Sequence, residues 1–180
     1  FVNNTFSAPA TGVTIQFIAA NGSIDLGATS FLGTSHAGDD LRLEAHGAVG
    51  NINLGGSVST FALATLIADG SVTQNGVGTR IDTSAADGNI TIQSGGAIGA
   101  VGTPVVLDPG SLGKVNLTAA TGVNILINGS YATDLLTLNV SGNGQEIGIG
   151  SATGNFTVND VSHFNANTAN DNFTLNTPAG

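Results

Sequence analysis

The sequence predicts an all-β fold, a solenoid of parallel strands about eight coils deep, and three observations carry that reading. Apolar and polar residues alternate in short bursts, as in a strand with one buried face. The bursts recur: their first apolar residues stand at 13, 41, 66, 90, 115, 136, 156 and 173, giving spacings of 28, 25, 24, 25, 21, 20 and 17. A period in the twenties marks solenoids, propellers and arrays. Gly, Asn, Asp and Ser fill the gaps, with 27 Gly among 180 residues, which favours corners and leaves few windows for helix.

Taken along the chain, the bursts are Val13–Phe17, Leu41–Ala45, a less regular match at Leu66, Ile90–Gln93, Val115–Thr118, Leu136–Val140, Phe156–Asn159 and Phe173–Asn176. The only stretch with a trace of helical period is Phe61–Gly70, FALATLIADG, and between Phe61 and Ala86 the alternation gives no coil boundaries. Leu41–Gly50 (LRLEAHGAVG) and Ile90–Gly99 (ITIQSGGAIG) superpose without gaps at an offset of 49. Several repeats carry a second burst after a small-residue corner: Ile24–Leu26, Ile52–Leu54, Val105–Leu107, Val123–Ile127 and Ile147–Ile149. Two or three short strands per repeat suit one coil. Antiparallel sheets give the same alternation, so a β-sandwich is the rival. The repeat, and the scarcity of hairpin signals between adjacent bursts, favour the solenoid.

Charge narrows the function. Three basic residues (Arg42, Arg80, Lys114) face 12 acidic ones, a formal net charge of −9, which argues against a nucleic-acid partner. Hydrophobic residues make up 41% of the chain and mean hydropathy is +0.26, enough for a core and unlike a disordered chain. There is no Cys, hence no disulfide, thiol nucleophile or zinc–thiolate site. The longest apolar run, Phe61–Ala68, has 8 residues against roughly 20 for a membrane span. With no Met at position 1, the expectation is a single solenoid segment over residues 1–180 that belongs to a much longer repeat protein.

The segment Gly88–Ala120 (GNITIQSGGAIGAVGTPVVLDPGSLGKVNLTAA) resembles the repeats of filamentous haemagglutinin-like exoproteins, the two-partner-secreted adhesins of Gram-negative bacteria. Gly95–Gly99 matches the GGAIG corner, Pro104–Leu107 the short strand, Ser111–Leu112 the turn and Val115–Leu117 the next burst; Leu41–Leu54 is a partial second copy, and the tail from Asp134 loses the corner. The resemblance implies a right-handed β-helical shaft, export to the cell surface, and a role in attachment or in extending another domain. It implies no catalytic site.

Candidate chemistry is sparse. β-Helical enzymes acting on polysaccharide need clustered carboxylates beside a base, whereas the three cations here are isolated. Arg42 beside Glu44 reads as a surface ion pair. Asp39-Asp40 reads as a turn cap, with a weak Ca²⁺ contact as the alternative, and Asp160 and Asp171 stand apart. His36, His46 and His163 lack a His or Cys at ligand spacing, which favours surface or corner roles. Gly95-Gly96 and Gly142–Gly144 lack the Lys-Ser/Thr of a phosphate loop. Phe156, Phe164 and Phe173 are expected to stack inside narrowing C-terminal coils, with an exposed sugar platform as the alternative; Tyr131 is the only Tyr and Trp is absent. Thr91, Asn116, Thr137, Thr157 and Thr174 make only a partial ladder of the kind that binds ice. Asn-x-Ser/Thr triplets, such as those at Asn21 and Asn89, matter only in a glycosylating host.

The resulting expectations are a structural shaft or stalk of a secreted surface adhesin or filament, with no enzyme activity, no catalytic, cofactor or metal residues, and no cofactor. The expected partners are flanking coils of the same polypeptide or another copy end to end, with a host receptor or glycan possible and no nucleic acid or membrane insertion. The alternatives are a β-sandwich or β-helical module binding host glycan or protein directly, and a polysaccharide-acting enzyme.

Overall fold

The computed structural model describes residues 4–6, 11–27, 31–34, 36–59, 61–76, 78–143, 145–166 and 171–176. The chain winds through β1 (Asn4–Phe6), β2 (Thr14–Ala19) and β3 (Ile24–Leu26), then β4 (Phe31–Thr34), β5 (Asp40–Ala45) and β6 (Ile52–Leu54). It continues as β7 (Ser57–Ser59), β8 (Leu63–Ala68), β9 (Val72–Gln74), β10 (Ile81–Asp82) and β11 (Asn89–Ser94). Next come β12 (Val105–Asp108), β13 (Val115–Ala119), β14 (Val123–Asn128), β15 (Tyr131–Ala132) and β16 (Leu136–Val140). The chain ends with β17 (Glu146–Thr153), β18 (Phe156–Thr157), β19 (Phe164–Ala166) and β20 (Asn172–Asn176), the last of which lies one turn beyond β17. Helix is confined, among the described residues, to two single 3₁₀ turns, Ser84–Ala86 and Thr133–Leu135.

Strands of successive turns pair in parallel. One face stacks β2-β5-β8-β11-β13-β16-β19 and another β1-β4-β7-β10-β12-β14-β17-β20, with β3-β6-β9 and β15-β18 as shorter rows. This is a β-solenoid of about six turns whose deepest face is eight strands high. It settles the choice against the β-sandwich, because parallel strands leave no place for hairpins.

The period-2 alternation does the sorting. On the seven-stranded face the inward positions form unbroken columns. One is Phe17, Leu43, Leu66, Ile92, Leu117, Leu138 and Phe164; beside it runs Ala19, Ala45, Ala68, Ser94, Ala119, Val140 and Ala166. A third column, Ile24, Ile52, Val72, Ile98, Val123, Ile147 and Phe173, links the short row to the long strands of later turns. Turns up to β9 therefore use three separate strands, whereas β14 and β17 run two of these segments together. Gln74 stands at the changeover: buried, it donates to Thr79 O at 3.0 Å and accepts the Val106 N–H at 2.9 Å.

The structure corrects several sequence assignments. FALATLIADG contains strand β8, with burial alternating residue by residue, and the coil boundaries missing between Phe61 and Ala86 fall at β8, β9 and β10. The column partner of Leu41 is Ala64, not Leu66; a small residue in a large residue's place obscured the frame. Phe156–Thr157 pairs with Tyr131–Ala132 at a corner, and Phe173 belongs to the eight-stranded face. The seventh strand of the main face is β19, with Phe164 opposite Leu138. The apparent shortening of the period to 20 and 17 thus came from counting three rows as one.

Corners bring main chains into contact. A Cβ at Gly95 would stand 2.1 Å from Asp69 O on the turn beside it, so only glycine permits that stacking distance.

Candidate functional site

Two features could carry function: the contacts that lock one turn to the next, and the surfaces those contacts leave open. Stacking pairs many corner amides with main-chain carbonyls of the next turn, as Gly95 N–H with Ala68 O at 2.9 Å, but not all of them, and an amide without an acceptor is costly. Side-chain acceptors at the corners fill that need by reaching across one turn. Asp39 accepts the Val13 N–H at 3.1 Å and the Thr34 hydroxyl, Asp69 the Gly47 N–H at 2.9 Å, Asp87 the Ser111 N–H at 2.9 Å, and Asp171 the Gln145 N–H at 2.7 Å. Asn51 and Asn89 do the same for Ser71 and Lys114, at 2.7 and 2.8 Å. Four of these six acceptors are acidic, so a good part of the negative charge is structural. Asp39, read from sequence as a turn cap, is a fully buried latch between turns; the Thr34 hydroxyl and the Val13 amide hold its carboxyl below the usual carboxylate range.

The charged residues singled out from the sequence pair with one another. Glu44 receives Arg42, the His46 Nε2 at 3.0 Å and the Gln16 amide at 3.0 Å, and His46 with Arg42 brings its carboxyl down to about 2. His46 Nδ1 faces Asp69 at 3.3 Å, and the two carboxylates raise its imidazole above the ordinary value. Arg80 lies 2.8 Å from Asp82 and 3.7 Å from Asp108. His36 sits 3.8 Å from Asp39, and His163 3.4 Å from Asp160. Arg42 and Glu44 thus belong to a cross-turn cluster rather than an isolated surface pair. Among the described residues no group of three or more His, Asp or Glu is arranged to hold a metal ion. Tyr131, unremarked in sequence beyond its rarity, is buried with its hydroxyl 2.8 Å from Gly113 O and 3.0 Å from Leu135 O. Of the Gly142–Gly144 corner, Gly144 lies outside the described residues.

The open surfaces lie at the two ends. Interior column members Leu43, Leu66 and Ile92 are wholly buried. In β2, Ile15, Phe17 and Ala19 are only partly covered, and Ile18 is 56% exposed. At the other end Phe164 and Phe156 are partly buried, while Phe173 and Leu175, at inward positions of the last strand, are 41% and 39% exposed. Phe164 and Phe173 do stack, with ring centroids 5.6 Å apart, but the expected enclosure of the phenylalanines is incomplete.

No family model matches the chain, and neither a curated protein nor a solved structure matches it. The likeness to haemagglutinin-type repeats rests on Leu41–Leu54 and Gly88–Ala120 themselves, which the structure places in a parallel solenoid.

Proposed function

We propose that this chain is a shaft segment of a secreted bacterial surface adhesin or filament, and that its partners are further coils, from the same polypeptide or from a second copy seated end to end. The reading has support from one observation above others. The interior turns bury their inward residues completely, whereas inward residues at both ends, Phe17 in β2 and Phe173 and Leu175 in β20, keep a solvent-facing side. Edge strands with free main-chain groups are templates for another strand, and a solenoid turn contacts only its neighbours. Because the strands of the long rows all run the same way, translation along the axis can set the first strand of a second copy beside β20; eight stacked strands advance about 38 Å per copy. We take the winding to be right-handed, the hand that parallel crossover connections adopt. A non-enzymatic role agrees with the use of the acidic groups and of Arg42 and Arg80 in structural pairs.

The test is small-angle scattering and sedimentation across a concentration series. End-to-end stacking predicts particles that lengthen without thickening, and Phe173→Lys with Leu175→Lys should abolish the growth. Thickening, or a wild-type particle that stays monomeric throughout, contradicts it.

A further inference from the structure

The eight-stranded face carries a notch on its outer side. Outward positions of β14 hold Asn124 and Leu126, and those of β20 include Thr174, but the outward positions between them on β17 are Gly148 and Gly150. Two missing side chains in register leave bare backbone as a floor. A wall rises beside it. The chain between β11 and β12 makes an excursion at 99–104 where the next turn passes from β13 to β14 in three residues. Ala100 and Thr103 exchange main-chain hydrogen bonds of 3.1 and 3.0 Å, which hold Val101 and Pro104 against the groove. The hollow they form, open to solvent on one side, has a volume of about 160 Å³.

The lining has two chemistries. Glycine backbone, Val101, Pro104 and Leu126 supply an apolar surface, while Asn124, Glu146 and Thr174 stand around it. None of these three side chains makes a hydrogen bond among the described residues, in contrast to the Asn and Asp side chains spent on the corner latches. We propose that this notch binds one uncharged pyranose ring of a polysaccharide. A pyranose has an apolar C–H face, suited to the glycine floor, and a hydroxyl rim, suited to an amide, a hydroxyl and a carboxylate acceptor. Charge selects among sugars: Glu146 is the one ionisable group in the lining, no cation accompanies it, and the chain carries −9 overall, so uronates and sialylated sugars are repelled. With no aromatic platform the binding is weak, and the site stands independently of the shaft reading.

Gly148 gives a clean test, because a Cβ there meets only the end of the Asn124 side chain, at 2.6 Å. Saturation-transfer NMR with cellohexaose, maltohexaose, chitohexaose and oligogalacturonate is expected to show transfer to at least one neutral oligosaccharide and none to the uronate. Gly148→Val should abolish the signal with melting unchanged, and Thr118→Val on the other face should keep it. Should Gly148→Val fail to fold, Asn124→Ala provides the same readout. No transfer to any neutral sugar, equal transfer to oligogalacturonate, or a signal surviving in the notch variants overturns the assignment.

Discussion

The middle turns and the last turn use the same residue types in the same alternation, yet they pack differently. Leu66 and Ile92 in the middle are wholly covered, whereas Phe173 and Leu175, which continue inward columns, keep about two-fifths of their surface in water. A solenoid turn is therefore not a complete unit of structure. Its hydrophobic face is satisfied only by neighbours above and below, and at the ends inward residues keep part of their surface in water.

The sharpest way to break this contrast is to cut one inward column in its middle and another at its end. Leu66→Ala, in the middle of its column, is expected to cost about 2 to 5 kcal/mol; Phe173→Ala, although it removes more atoms, should cost less than half as much, because much of the ring is already solvated. Urea denaturation of the two variants compares them directly, and equal losses would mean that the end is as well packed as the middle. Next in size, Gly95→Ala forces a methyl group against the Asp69 carbonyl and is expected to cost about 3 kcal/mol, whereas Gly148→Ala should be close to neutral; thermal melts distinguish them. Tyr131→Phe removes the hydroxyl beside Gly113 O and Leu135 O, for about 1 to 2 kcal/mol.

The smallest effect sharpens the comparison through pH, since the His46 cluster occupies the early turns alone. Glu44, lowered from 4.5 to about 2, contributes stability that is complete above pH 4.5 and lost as pH falls through about 2. His46, raised above 6.5, contributes stability that is complete below pH 6.5 and lost as pH rises through its folded value. The cluster is thus strongest between pH 4.5 and 6.5. Melting temperature should decline on the alkaline side of that window, and His46→Gln should flatten the decline; an unchanged slope would remove His46 from the account.

Much of the fold was legible because solenoid rows repeat a period-2 code that survives wherever inward residues are large. It failed where they are small, as at Ala64, and where corner strands look like face strands, as at Phe156. The latches were legible only as turn formers, because Asp69, Asp87 and Asn89 find their amides more than 20 residues away, and sequence spacing does not reveal which corner lies beside which. The notch was hidden for a similar reason. Gly148 and Gly150 look like any glycines in EIGIG until the register sets them beside Asn124, Leu126 and Thr174.

The most direct test of the central claim is residue-resolved hydrogen exchange on the intact chain. If a turn is held by its neighbours on both sides, amides of β8, β11 and β13 exchange slowest and protection falls towards β2 at one end and β19 and β20 at the other. Uniform protection along the stack, or ends as protected as the middle, would contradict the claim that both ends await another coil.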